Sequence, residues 1–153
     1  EVAGFCAAAL AFGRVASVLN TIDTLFAILG PRPAEFVRRF DPAGSHPELR
    51  AMVHRWTRGV DIAALLWLLR QMLERSGSIE AFFLEGDSEA TPDVGAALDS
   101  FSTRALALDI RRAYGRVPKR PAKRSRNPVA RAISGMRIST CRPWRSASAT
   151  ASK

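Results

Sequence analysis

The chain opens on an almost unbroken apolar run, Val2–Phe12, rich in Ala, which reads as a buried helix that Gly13 weakens or breaks. Val15, Val18, Leu19, Ile22, Leu25, Phe26 and Leu29 then recur at helical spacing. Gly30 and Pro31 end that second helix: a residue that tolerates the left-handed region, then one that cannot continue the ladder. Phe36, Val37 and Phe40 share one side of a short helix over Ala34–Phe40, and Asp41-Pro42-Ala43-Gly44 reads as a turn. Ser45 with Glu48 three residues on forms a capping-box pattern, followed by an apolar stripe of Leu49, Met52, Val53 and Trp56. Both Trp56 and Trp67 fall on apolar stripes and are expected in the core.

Thr57-Arg58-Gly59 interrupts that stripe, and Asp61 is positioned to cap a helix over Ile62–Arg75 that is apolar nearly all round. Such a helix belongs at the centre of a bundle. Ser76-Gly77-Ser78 breaks it before Ile79–Leu84. A polar loop follows, then Thr91-Pro92 as the start of a long helix. Val94, Leu98, Phe101, Ala105 and Leu108 alternate spacings of four and three, a seam for packing on another helix, and Gly115 ends the element. No segment has convincing strand alternation. The expected fold is all-α, an irregular bundle of about five to six helices over residues 1–115.

Charge divides the chain at the same point. Residues 1–115 hold twelve Arg, no Lys and fourteen Asp or Glu, a net charge of −2. Residues 116–153 hold eleven Lys or Arg and no acid, so the overall +9 belongs to this segment alone. Arg, Ser, Ala and Pro supply 24 of its 38 residues, and its apolar residues are isolated. Such a composition buries too little surface to offset the entropy of ordering, so the segment is expected to be disordered. Two origins fit it. One is a basic arm that neutralises phosphates. The other is out-of-frame translation of a GC-rich gene, which the abrupt loss of every acid favours.

Candidate chemistry is sparse. His46 and His54 are eight residues apart; on one helix that is about 12 Å, too far for one metal without a third element. Both read as surface or capping residues, and no metal or cofactor is expected. Glu85, Asp87 and Glu89 lack the frame of a calcium loop. No phosphate-cradling Gly motif or Gly-x-Ser-x-Gly elbow occurs, and the body has no Lys for a Schiff base. The phosphate-contact candidates are therefore Arg38, Arg39, Arg111 and Arg112 in the body and Lys119, Arg120, Lys123, Arg124 and Arg126 in the basic segment. For the four in the body, the competing assignment is solvated helix ends. Cys6 reads as a small buried hydrophobe, and two distant thiols fit a reducing, cytoplasmic compartment. No apolar run reaches the ~20 residues of a membrane span. Glu1 opens directly into an apolar pattern and reads as an internal residue of a longer protein.

Several stretches together resemble an uncharacterised bacterial family, domain-of-unknown-function family 2400. These are Glu1-Val2-Ala3-Gly4-Phe5, Ala9 to Val15, Phe36-Val37-Arg38-Arg39-Phe40-Asp41, Leu66 to Phe83 and Phe101 to Tyr114. The resemblance covers roughly residues 1–117 and implies no activity by itself. The family's later part is similar to helix-hairpin-helix DNA glycosylases, but those motifs are absent here, so no catalytic residue carries over. The chain thus reads as an uncharacterised, non-catalytic helical fragment of a larger protein; one alternative is a nucleic-acid-binding module that uses the basic segment. A remnant of a glycosylase-like repair protein is the other alternative. Loss of a second half would leave the faces of Ile62–Leu73 and Val94–Leu108 partly bare and promote self-association.

Overall fold

One helix, α5 (Gly59–Ser76), is packed on by most of the rest of the molecule in the computed structural model, which describes residues 1–87 and 93–114. Its sequence explains its place. Ile62, Ala64, Leu66, Leu68, Leu69 and Met72 spread over more than half of the helix's circumference and are each almost wholly buried. Each of the Ile, Leu and Met side chains contributes about 1.5–3 kcal/mol on burial. Around α5 lie α3 (Pro33–Arg39), α4 (Pro47–Ala51), α6 (Ile79–Leu84) and the short α8 (Arg111–Tyr114). The remaining helices are α1 (Val2–Leu10), α2 (Val15–Leu29) and α7 (Gly95–Ala107). The fold is all-α, with eight helices among the described residues because several short connecting turns are themselves helical. The expected starting pair Thr91-Pro92, the stop at Gly115 and the whole of 116–153 lie outside the described residues.

Helix α1 buries Val2, Cys6 and Leu10, one face at intervals of four, and Glu1 accepts the Ile79 N–H at 2.9 Å, tying the start of α1 to α6. Burial pushes the Cys6 thiol up to about 12, so it stays a protonated, apolar group. Helix α2 ends as expected, with Gly30 at φ +70° and its N–H bonded to the Phe26 carbonyl. Its buried face is Thr21, Leu25 and Leu29, rotated from the apolar stripe, so Val15 is 72% exposed. Ser78 caps α6 by accepting the Ala81 N–H at 2.9 Å. Phe101 of α7 meets Phe82 of α6 edge-on at 5.5 Å, and Arg104 covers Phe82 while pairing with Glu85 at 2.8 Å.

Four expectations are corrected. The face of Ile62–Leu73 is not bare, because α3, α4, α6 and α8 cover it. The seam of α7 is Ala97, Phe101 and Ala105, a strict spacing of four, while Val94 is exposed and the helix stops at Ala107. Ser45 does not cap the fourth helix; His46 occupies the cap position without a side-chain bond, and Pro47 begins the turn. The largest change is that the helix stops at Ala51, so the stripe from Leu49 to Trp56 is not one helical face. Val53–His54 (β1) pairs antiparallel with Thr57–Arg58 (β2), Val53 opposite Arg58 and His54 opposite Thr57.

Candidate nucleic-acid interface

The last described residues are strapped along α5. Trp67 Nε1–H donates to the Asp109 carbonyl at 2.7 Å, and Gln71 both donates to that carbonyl at 3.0 Å and accepts the Asp109 N–H at 3.2 Å. Trp67 is thus a half-buried brace instead of a pure core residue. Arg70 and Arg112 both lie over its ring, each 5.4 Å from the centroid. Arg112 also pairs with Asp41 at 3.1 Å. The Ala43 N–H foremost, with the Arg112 guanidinium, holds the Asp41 carboxyl below the usual carboxylate range. At the far end, the Tyr114 hydroxyl donates to Asp61 at 2.8 Å, and burial with that carboxylate raises the phenol's pKa. Asp61 lies in the first turn of α5, where its other oxygen accepts the Arg58 N–H at 2.8 Å. It therefore secures the turn from within the helix and does not precede the helix as a cap. Tyr114 therefore sits at the N-terminal end of α5, beside the hairpin.

The four body arginines proposed from sequence have different surroundings. Arg38 donates to the Gly77 carbonyl at 2.8 Å and so caps the C-terminal end of α5. Arg39 is exposed, Arg111 lies 3.7 Å from the Asp109 carboxylate, and Arg112 is engaged with Asp41 and Trp67. Lys119, Arg120, Lys123, Arg124 and Arg126 lie outside the described residues.

A second basic group, unforeseen in the sequence, surrounds the hairpin. The turn at Arg55-Trp56 packs on the α1–α2 junction, where Gly13 has φ +110° and a Cβ would come within 2.5 Å of the Arg55 Nε. The φ of +110° is what requires glycine there, since the flexible end of the Arg55 side chain could move aside. The Phe12 ring stacks on Trp56 at 4.8 Å with an interplanar angle of 11°. Beneath them His54, 2% exposed, bonds through Nδ1 to the Thr21 hydroxyl at 2.9 Å and through Nε2 to the Phe12 carbonyl at 3.1 Å. A carbonyl only accepts, so Nε2 carries a proton. His54 is therefore a buried tie between two loops, and His46, whose Nε2 lies 2.9 Å from the Asp41 carbonyl, has a separate role. Gly59 closes the hairpin's foot: a Cβ there would collide with the Leu49 carbonyl and come within 2.6 Å of the Arg50 Cα.

This corner carries Arg14, Arg55 and Arg58 around an exposed aromatic, and neither 12–18 nor 53–60 contains an acid. Trp56, expected in the core, is 54% exposed. The signal available in sequence was the Arg-Trp-Thr-Arg run with its mixed charge and aromatic character. Its helical spacing from Leu49 hid it.

The molecule so described is a helical domain with one basic, aromatic corner. It belongs to a family of proteins of unknown function, DUF2400, whose pattern matches residues 1–133. The match continues past residue 117, through Lys119 to Arg126 and into the acid-free segment. No curated protein and no solved structure matches the chain. No helix among the described residues is long and apolar enough to cross a membrane.

Proposed function

We propose that this chain is a helical nucleic-acid-binding module. The observation that carries the reading is the Tyr114–Asp61 hydrogen bond, which fixes Tyr114, the residue from which the acid-free, Lys/Arg-rich sequence follows, at the end of α5 that holds Arg58 and the hairpin. Arg14, Arg55 and Arg58 form an electropositive corner at this end of a body that is otherwise slightly acidic, and the sequence after Tyr114 carries eleven Lys or Arg and no acid. Clustered cations of this kind bind polyanions by releasing condensed counterions. The family match through residue 133 supports treating Lys119, Arg120, Lys123, Arg124 and Arg126 as part of the binding domain. Arg39 and Arg111 are peripheral contacts in this reading, and Arg38 and Arg112 serve the fold. A cytoplasmic, reducing setting goes with it, Cys6 being a buried free thiol.

The test is the affinity of the full chain for single- and double-stranded oligonucleotides as a function of salt. Binding is expected to weaken steeply, with a slope of roughly 0.7–0.9 per phosphate neutralised. Replacing Lys119, Arg120, Lys123, Arg124 and Arg126 together by Gln should lower that slope by several units. Absence of salt-dependent binding to any nucleic acid would remove the proposal.

A further inference from the structure

We propose that Trp56 is a stacking platform for the bases of single-stranded nucleic acid, with Arg14 and Arg55 holding the adjoining phosphates; this rests on the nucleic-acid reading above. Trp56 sits at the tip of a two-residue turn, more than half exposed, although it is the largest apolar side chain of its segment. Its ring is not loose. It lies nearly parallel on Phe12, so a base laid on Trp56 would extend a stack already begun by two protein rings.

The support beneath this pair is built of ties that sequence propensity would not select. Arg55 holds φ +56°, a left-handed conformation uncommon for a side chain of this size, where Asn or Gly would sit more easily. Strain of this kind persists where the surroundings fix it, and it clusters at sites of function. Here His54 does the fixing, bonded to the Phe12 carbonyl on one side and Thr21 on the other. The Arg55 side chain lies against Gly13, and the exposed Arg14 follows Gly13 in the chain, so two arginines belong to the same corner as the stacked rings.

Charge and ring together select the ligand. Neither Arg14 nor Arg55 has an ion pair among the described residues, and the one nearby acid of α5, Asp61, is engaged by the Arg58 N–H and the Tyr114 hydroxyl. A phosphodiester strand supplies the missing charge. A base paired within a duplex keeps its faces covered by its neighbours, whereas an unpaired base offers its face to an aromatic platform irrespective of sequence. The geometry therefore favours single strands over duplex.

The experiment compares the full 153-residue chain with Trp56→Leu, which keeps apolar cover over Phe12 but has no ring, and with Trp56→Phe, which keeps a ring. The probes are a labelled oligothymidylate, an oligouridylate, an abasic strand of the same length and a blunt duplex, all at one salt concentration. Thermal midpoints confirm that each variant is folded. The expected result is about ten-fold tighter binding of base-bearing strands than of the abasic strand. That preference should vanish in Trp56→Leu and be largely kept in Trp56→Phe. DNA and RNA strands should follow the same pattern, since stacking does not read the sugar. A preference that survives in Trp56→Leu, or a duplex bound as tightly as the single strands, would overturn the inference and leave the nucleic-acid reading standing. Failure of every probe to bind would overturn both.

Discussion

Helix α5 and the hairpin at 53–58 are consecutive in the chain, yet they are held by opposite means. In α5 the contacts over more than half of the circumference are apolar, with Leu66 and Leu69 wholly buried and no polar tie required between them. In the hairpin there is little apolar area to bury. Val53 and Trp56 face outward, and the order comes from His54, its two hydrogen bonds and the close approaches at Gly13 and Gly59. Dispersion and hydrophobic burial are additive and tolerant, whereas a few directional bonds are specific and fail singly. A centre built the first way serves as scaffold, and a corner built the second way can present side chains to a partner.

The sharpest contrast comes from truncating the scaffold. Leu69→Ala should destabilise the whole domain by about 4 kcal/mol, the removed methyls and the residual cavity acting together. For a domain of this size that lowers the thermal midpoint by on the order of 15–25 °C. Calorimetry should record one cooperative transition at the lower temperature. A shift of only a few degrees would mean that α5 is less central than its burial implies.

The two regions also differ in how far the sequence declared them. The apolar all-round pattern of Ile62–Leu73, the Gly30-Pro31 stop and the Ser76-Gly77-Ser78 break each translate directly into observed structure, because burial and backbone permissiveness are local properties of residue type. The hairpin is invisible to the same reasoning. Leu49, Met52, Val53 and Trp56 satisfy helical spacing, but Leu49 and Met52 are buried while Val53 and Trp56 are exposed. The turn has no Gly, Asn or Asp to announce it, since Arg55 itself takes the left-handed position. What overrides the helical period is tertiary. His54 satisfies the Phe12 carbonyl forty-two positions away, a partner no local pattern reveals. The basic, aromatic corner is hidden for the same reason. A tryptophan assigned to a helical stripe is assigned to the core, and its neighbouring arginines then look like solvated charge.

A smaller and more local effect is expected at the tie itself. His54→Ala removes both ring bonds, leaving the Phe12 carbonyl without its side-chain donor, while the Thr21 hydroxyl keeps the Ser17 carbonyl. The loss should be about 2 kcal/mol. Native-state hydrogen exchange should place it in the hairpin and the 11–14 junction, with α5 amides keeping their relative protection. If protection falls uniformly through α5, the hairpin is part of the global cooperative unit and the contrast between tie and scaffold dissolves.

The smallest expected effect tests whether the corner is fully satisfied. Thr57 stands opposite His54 in the ladder, 5% exposed, and its hydroxyl has no hydrogen-bond partner among the described residues. An unpaired buried hydroxyl contributes a desolvation cost and no bond, while its methyl group packs. Thr57→Val keeps the β-branched shape and removes the oxygen, and valine is at least as suited to a strand. Stability should therefore stay level or rise by up to ~1 kcal/mol, read as an unchanged or higher thermal midpoint. A fall of about 1 kcal/mol or more would mean that the Thr57 oxygen is bonded in solution. The hairpin would then rest on a polar network wider than His54 alone.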